Sequence, residues 1–245
     1  MHPVLFEVGG LTVYSYGVCT QLSYAAFAGL LIFTANRLGE ALDTALRIGA
    51  GMLAGGLIGG RLGFILINLN EPGIMRVLFD LSGSFVMFAA LIGGVLGPMV
   101  MARQRSRPVG TGLDLVTPPM LGAWAVSNLG CFLAGCCWGP TTQMPWGVRF
   151  LSDILPPELR GVPVHPTQLY SFGSDLLVLV LVLGWPRGAP GTMFLGGLLG
   201  LVSLKLLLIA TGVGHGGAML AVFPVLAASS IALLIALRNR PIVAT

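Results

Sequence analysis

The sequence predicts an all-α integral membrane protein with about seven transmembrane helices, in a single domain over residues 1–245. Three observations lead to this fold class. Only 9% of the residues are charged and 55% are hydrophobic, whereas a soluble domain carries roughly 25% charged residues. Apolar runs of about 20 residues recur, which is the length a helix needs to cross the hydrocarbon core of a bilayer. The 36 glycines suit helices that pack closely in lipid.

Apolar runs and the residues that interrupt them divide the chain into seven candidate spans. The spans cover approximately residues 12–36, 48–69, 80–102, 111–135, 166–185, 191–213 and 216–237. The longest interruption, at about 138–165, is rich in Pro, Gly, Thr and Trp, and we expect it to form a loop outside the membrane.

Arginine placement predicts the orientation, because cytoplasmic connections carry an excess of Lys and Arg. The densest basic run is Arg103, Arg105 and Arg107, and Arg238 and Arg240 follow the last span. We therefore expect a multi-pass membrane protein with the C-terminus inside and the N-terminus outside. The net charge of +4 is assigned to these arginines, so no nucleic-acid partner is expected.

Three ionisable residues, Arg61, Asp175 and Lys205, fall well inside predicted spans. Charges inside a membrane are costly and usually pair or line a polar cavity. We expect Asp175 to neutralise Arg61 or Lys205. For Lys205 we favour instead a side chain that extends to the headgroups, and for Arg61, among glycines, a cavity.

Three of the four cysteines cluster in the segment Gly130-Cys131-Phe132-Leu133-Ala134-Gly135-Cys136-Cys137-Trp138-Gly139. On a continuous helix the spacing of five and six residues makes no common metal-binding face, although a break at Gly135 could bring the thiols together. Three interpretations remain open: small packing residues, a redox or metal site, and a nucleophilic thiolate. We assign no metal ligands and expect no cofactor.

Two further motifs lie at the predicted outer face. In Val164-His165-Pro166-Thr167-Gln168-Leu169-Tyr170 a proline begins a helix, and a histidine able to exchange a proton near neutral pH precedes it. In Pro145-Trp146-Gly147-Val148-Arg149-Phe150 the arginine could hold a lipid phosphate through paired donors. Ordinary interfacial anchoring is the alternative for both motifs.

Taken together, these segments resemble the prolipoprotein diacylglyceryl transferases. The resemblance rests on His2-Pro3-Val4-Leu5-Phe6 with Tyr16-Gly17, on Gly59-Gly60-Arg61-Leu62-Gly63-Phe64, and on the two outer motifs, in the family's order. It implies seven spans with the N-terminus outside, in a multi-pass protein of the bacterial plasma (inner) membrane. It also implies transfer of the diacylglyceryl group of phosphatidylglycerol to a cysteine thiol of a lipoprotein precursor, with release of glycerol phosphate.

The resemblance also implies roles for residues. By the resemblance, His165 and Tyr16 are catalytic candidates, and the nucleophile interpretation of the cluster adds Cys131, Cys136 and Cys137. The candidates for binding phosphatidylglycerol, or a similar phospholipid, are Arg61, Arg149, Asn128, Gly139, Gln168 and Tyr170.

The chain departs from the family pattern at several polar positions. Asn128 and Cys131 stand where the family has arginine and asparagine, Cys136 replaces an acidic residue, and Phe88 replaces a histidine. Two other functions are therefore carried as alternatives: a non-catalytic lipid-binding or accessory protein, and a thiol redox or metal-binding protein that uses the cysteine cluster.

Overall fold

The computed structural model describes residues 4–69, 86–151, 155–186 and 188–213. Six α-helices lie in this part of the chain. They are α1 (Ser15–Leu38), α2 (Leu42–Ile67), α3 (Met87–Gln104), α4 (Val109–Ala134), α5 (Thr167–Leu183) and α6 (Thr192–Ala210). Four short strands accompany them: β1 (Val4–Val8), β2 (Leu11–Tyr14), β3 (Val148–Arg149) and β4 (Pro163–Val164).

The helical membrane class is confirmed. Four helices, α1, α2, α3 and α6, are long and apolar enough to cross a bilayer, and α5 is a shorter apolar helix. Six predicted spans coincide with the six helices, and the seventh, at 216–237, lies outside the described residues. Span one begins at Ser15 rather than residue 12, because the preceding residues pair as the antiparallel hairpin β1–β2.

The described residues divide into two compact units. The first takes the residues up to Leu30, Pro118–Gly188 and the residues from Thr192 onward. The second takes Leu31–Thr117 and Ala189–Gly191. The expectation of a single transmembrane domain stays a prediction.

In the second unit, α2 and α3 pack with their backbones in direct contact. A methyl group added at Gly55 would overlap the carbonyl of Gly93, and one at Gly93 would overlap the carbonyl of Gly55. Gly59 meets the carbonyl of Ala89 in the same way. Small residues permit this approach between membrane helices, where van der Waals contact rather than the hydrophobic effect drives association. The glycine pairs therefore hold this helix pair together, as the sequence predicts.

Ion pairs join the two polar connections of the second unit. Arg105, which follows α3, contacts Asp43 at the start of α2, and Asp43 also pairs with Arg47. Arg107 Nη2 lies 2.8 Å from Glu40 Oε2. The connection from α1 to α2 and the connection from α3 to α4 therefore lie at one end of this unit.

Candidate functional site

The cysteine cluster forms where α4 ends. The N–H groups of Gly135 and Cys136 both donate to the carbonyl of Cys131, at 3.0 and 3.1 Å. Gly135 takes a left-handed conformation with φ of 77°. Glycine adopts this conformation without a Cβ penalty, and the resulting motif reverses the chain at a helix C-terminus. The helix thus stops at Ala134, and the chain folds back toward Cys131.

This reversal gathers the thiols of Cys131, Cys136 and Cys137. Their three sulfur atoms lie within 4.8 Å of one another, and the Sγ atoms of Cys136 and Cys137 are 3.8 Å apart. All three are free thiols. The sequence left both outcomes open: a continuous helix would give no common face, whereas a break at Gly135 would bring the thiols together, and the structure has this break.

The start of α5 holds the backbone of the cluster. Thr167 Oγ1 donates to the carbonyl of Cys137 at 2.7 Å, and Gln168 Nε2 donates to the carbonyl of Cys136. Gly139 makes this approach possible, since a Cβ there would lie 2.5 Å from Thr167 Cγ2 and 3.0 Å from His165 Cβ. Gln168 and Gly139, both predicted to bind substrate, thus shape the cluster; substrate binding by them stays a prediction.

A hydrogen-bonded chain of three side chains lies beside this segment. Trp146 Nε1 donates to Tyr170 Oη at 2.9 Å, and Tyr170 Oη lies 3.1 Å from His165 Nδ1. The phenol O–H can donate to His165 Nδ1 while its oxygen accepts from Trp146, and the imidazole tautomer that matches this arrangement carries its hydrogen on Nε2. In the described part of the chain, no residue bonds to Nε2. The imidazole is therefore oriented, with one ring nitrogen open to a ligand.

The predicted outer loop has a small core of its own. Phe150, Leu155 and Val164 are fully or almost fully buried, and Phe132 of α4 packs edge-on against Phe150. The strands β3 and β4 pair in this segment. Arg149 lies on β3 and donates from Nη1 to the carbonyl of Gly161 at 2.5 Å. Its guanidinium is exposed and fixed on one side, and its other N–H groups can serve a phosphate.

Tyr16, at the start of α1, belongs to the same unit as the cysteines. A methyl group at Gly130 would lie 3.5 Å from the Tyr16 ring, so this ring packs against α4 one residue before Cys131. The phenol is also close enough to the three thiols to interact with them electrostatically. The structure therefore brings together four of the predicted catalytic residues, Tyr16 and the cysteines.

A polar network lies within the helices of the first unit. Asp175 of α5 is 2% exposed and accepts a 2.8 Å hydrogen bond from Asn128 Nδ2 on α4. Lys205 Nζ on α6 lies 3.2 Å from Asp175 Oδ1. The expected pairing of Asp175 is confirmed with Lys205 as the partner, and the preference for headgroup contact by Lys205 was wrong. A buried carboxylate needs a counter-charge more than the ammonium gains from water.

Asn128 has little donor capacity left for a substrate. Its Nδ2 donates both to Asp175 and to the carbonyl of Trp124, at 3.1 Å. Arg61, the other binding candidate on a helix, lies on α2 in the second unit, with its guanidinium carbon 5.8 Å from the ring centre of Phe64. Substrate binding by both residues stays a prediction, and His2 lies outside the described residues.

The environment of Cys136 bears on the nucleophile interpretation. Its hydrogen bond with Cys131 lowers the pKa of the Cys136 thiol, but the hydrogen bond with Cys137 and burial raise it. The net pKa is above the usual value, so the protonated thiol is favoured at neutral pH. Since the thiolate is the nucleophile, Cys136 alone is a poor one.

Two residues were missed as parts of the site. Thr167 holds the backbone of the cluster through its hydrogen bond to Cys137. Trp146 orients Tyr170 rather than serving only as an interfacial anchor. Both lie in the motifs HPTQLY and PWGVRF, so the motifs marked the right segments. Their partners are distant in sequence, and no local pattern identifies them.

The geometry can be set against known proteins. Residues 3–207 match the model of the prolipoprotein diacylglyceryl transferases. The chain belongs to this family. It is 35% identical over 190 residues to the phosphatidylglycerol–prolipoprotein diacylglyceryl transferase of Clostridium tetani, covering 77% of this chain and 76% of the relative. A second such transferase of Clostridium perfringens is 32% identical over 189 residues, covering 76% and 72%. One from Coxiella burnetii is 31% identical over 205 residues, covering 79% and 76%.

Family membership confirms the resemblance found from the sequence motifs. The chain is a transferase of the diacylglyceryl transferase family and a membrane protein with several apolar helices. The prediction of an enzyme is therefore confirmed, and neither alternative function is better supported.

Proposed function

We propose that this chain transfers the diacylglyceryl group of phosphatidylglycerol to the cysteine thiol of a lipoprotein precursor. Relatives that are named for this reaction cover more than three quarters of the chain. The proposal rests on one observation, the hydrogen bonds that link Trp146 to Tyr170 and Tyr170 to His165. This arrangement supplies an oriented imidazole in a motif that resembles the family.

The reaction has two requirements, and the candidate residues address each of them. The sulfur of the acceptor attacks the glycerol carbon of the lipid, the carbon–oxygen bond to phosphate breaks, and glycerol phosphate leaves. A cationic donor stabilises the phosphate as its charge grows, and Arg149 is the candidate in the same unit as His165. His165 exchanges a proton through Nε2 during this step, with Tyr170 holding the ring. Tyr16 completes the polar lining near the cysteines.

The proposal includes a location and an orientation. We place the protein in the bacterial plasma membrane with seven spans, the N-terminus outside and the C-terminus inside. The ion pairs of Arg105 and Arg107 support this topology, because they put the arginine-rich connection from α3 to α4 at the same end of the second unit as Arg37 and Arg47. Excess positive charge marks the cytoplasmic end of membrane helices. The segment with Arg149 and His165 then faces the outer leaflet, where both substrates meet.

A transfer assay tests the function. The purified full-length protein is reconstituted in vesicles containing phosphatidylglycerol and mixed with a peptide carrying the lipobox cysteine. Mass spectrometry should show a peptide heavier by one diacylglyceryl group. The variant His165→Ala should lower kcat by roughly 10²- to 10⁴-fold, the usual contribution of a positioned acid–base group.

Matched tyrosine variants sharpen this test. Tyr170→Phe removes the hydroxyl that orients His165 and should also lower kcat, whereas Tyr14→Phe, exposed on β2, should not. A peptide that gains no mass with the wild-type protein would refute the proposed reaction. Full activity in His165→Ala would remove His165 from the mechanism.

A further inference from the structure

The cluster brings together three thiols, and simple packing does not require this number of cysteines. Two of the thiols are half-buried and the third, Cys137, is exposed. An odd number of thiols cannot be satisfied by disulfides within the cluster, since one pair would leave one thiol over. Three thiols with solvent on one side instead match the three protein ligands of a zinc site that keeps its fourth position open.

The distances fit such an ion. Zinc–sulfur bonds of about 2.3 Å in tetrahedral geometry place neighbouring sulfurs about 3.8 Å apart. The Sγ atoms of Cys136 and Cys137 are 3.8 Å apart, and all three sulfurs fall within 4.8 Å. A displacement of about 1 Å brings the most distant sulfur to this spacing, and rotation of a cysteine side chain supplies it without a change in the backbone.

The backbone of the cluster is held in a costly conformation. Cys137 has φ of 60° although it carries a side chain, and this strained state tends to occur at functional sites. Thr167, itself 6% exposed, fixes the Cys137 carbonyl. Such outer hydrogen bonds orient metal ligands in known sites. The strain therefore sets the direction of one of the three sulfurs.

Gln168 offers a second buried group at the same place. Its Nε2 holds the Cys136 carbonyl, while its Oε1 is buried and has no hydrogen-bond partner within the described ranges. Buried acceptors are normally satisfied, so an unmet one indicates a donor that binds from outside. An N–H or O–H group of an incoming peptide, or a bound water, would serve.

We propose that Cys131, Cys136 and Cys137 bind one zinc ion as thiolates, and that its fourth position takes the acceptor cysteine of the lipoprotein precursor. This inference rests on the proposed function for the identity of the acceptor. The acceptor thiol loses its proton when its sulfur binds the ion, and this is the proton that His165 takes at Nε2 and passes to solvent. The metal-bound thiolate then forms the sulfur–carbon bond, and the electron pair of the broken carbon–oxygen bond leaves with glycerol phosphate.

This assignment explains how the acceptor becomes a nucleophile. A thiolate is both the metal ligand and the attacking form of cysteine, and metal binding displaces its proton. Three protein thiolates leave the ion electron-rich, so the fourth sulfur keeps its nucleophilicity. The site thereby supplies the thiolate at neutral pH.

The first experiment measures metal binding by the full-length protein in detergent. After removal of metals with a chelator, zinc is added and its stoichiometry is measured; cadmium gives a cadmium–thiolate absorption in the ultraviolet. One ion per chain is expected in the wild type and in Cys19→Ser, whose cysteine is buried on α1 outside the cluster. Binding should be lost in Cys131→Ser and Cys136→Ser and weakened at least tenfold in Cys137→Ser.

Several results would overturn the metal site. Equal binding in wild type and Cys136→Ser would do so, as would no binding by freshly reduced wild-type protein. A mass two hydrogens lower than the free-thiol form, in protein that is still active, would indicate a disulfide instead. Circular dichroism and elution as a single species verify that each variant is folded. Because Cys137 is exposed, Cys137→Ser leaves the packing of the interior unchanged.

The second experiment tests the fourth ligand separately from turnover. Cobalt replaces zinc, and its visible spectrum is recorded with a lipobox peptide and with the same peptide carrying serine. Only the cysteine peptide should change the spectrum. Zinc binding with no spectral change would refute the acceptor assignment. If transfer survives both chelation and Cys136→Ser, the zinc step is refuted and the proposed function stands. If the cysteine peptide changes the spectrum but no transfer occurs, the proposed function alone is refuted.

Discussion

Two sets of membrane helices in this protein are held together by opposite means. In the second unit, α2 and α3 meet along their length through glycine backbones, and the ion pair of Arg105 with Asp43 lies at the helix ends. In the first unit, Asn128, Asp175 and Lys205 link α4, α5 and α6 through a hydrogen bond and an ion pair. The comparison teaches that close packing is enough to hold membrane helices together where their surfaces are complementary in shape. Polar links instead specify which helices meet, at the risk of leaving a charge unpaired.

The largest expected effect is the loss of the ion pair. Asp175→Ala leaves Lys205 and Asn128 without their shared partner inside the protein, and breaking such a buried pair costs roughly 3–5 kcal/mol. Thermal unfolding in detergent should show a much lower Tm than for Leu177→Ala, whose side chain on the same helix is exposed.

A double variant sharpens this prediction. Replacing both partners, in Asp175→Ala with Lys205→Met, removes the unpaired charge and should recover part of the lost stability. Equal Tm values for Asp175→Ala and Leu177→Ala would show that the polar network contributes nothing to the first unit.

The second prediction concerns the glycine contact. Gly55→Ala forces a methyl group into the carbonyl of Gly93, and such overpacking costs roughly 1–3 kcal/mol. Gly56→Ala is the matched control, because a methyl there would meet the Ala90 carbonyl at an ordinary 3.6 Å. Thermal unfolding should separate the two neighbours, with Gly56→Ala equal to the wild type or slightly more stable. If Gly55→Ala behaves like Gly56→Ala, the backbone contact is not what holds α2 to α3.

The smallest expected effect lies at the end of α4. Gly135→Ala puts a Cβ on a residue with φ of 77°, which costs about 1–2 kcal/mol. Gly135→Asn should cost less, because asparagine tolerates this conformation. The ultraviolet absorption of bound cadmium should weaken in the alanine variant and largely persist in the asparagine variant. The reverse order would mean that the helix end does not depend on a left-handed residue.

Most of the fold could be predicted from the sequence, because burial in lipid leaves a strong one-dimensional pattern. Apolar runs located six helices, and the abundance of glycine correctly indicated close helix packing. The hairpin β1–β2 was not predicted, since Val4–Val8 and Leu11–Tyr14 are as apolar as a short helix. Strand pairing between neighbours with little burial has no clear hydropathy pattern.

The site was predictable in its segments but not in its contacts. Motifs pointed to Cys131, His165 and Arg149, yet the bond from Thr167 to Cys137 joins residues 30 positions apart. The convergence of the thiols depends on one conformation, that of Gly135, which a sequence permits but does not require. The partner of Asp175 was similarly open, because two cations were available and only the three-dimensional arrangement decides between them.

The pairing of Asp175 with Lys205 also determines how these helices respond to voltage. An isolated charge that crosses a membrane gains or loses about 2.3 kcal/mol per 100 mV. A neutral pair carries no net charge, so the transmembrane potential exerts no net force on α5 and α6 through these residues. The polar network of the first unit can thus keep the same geometry in an energised and in a de-energised cell.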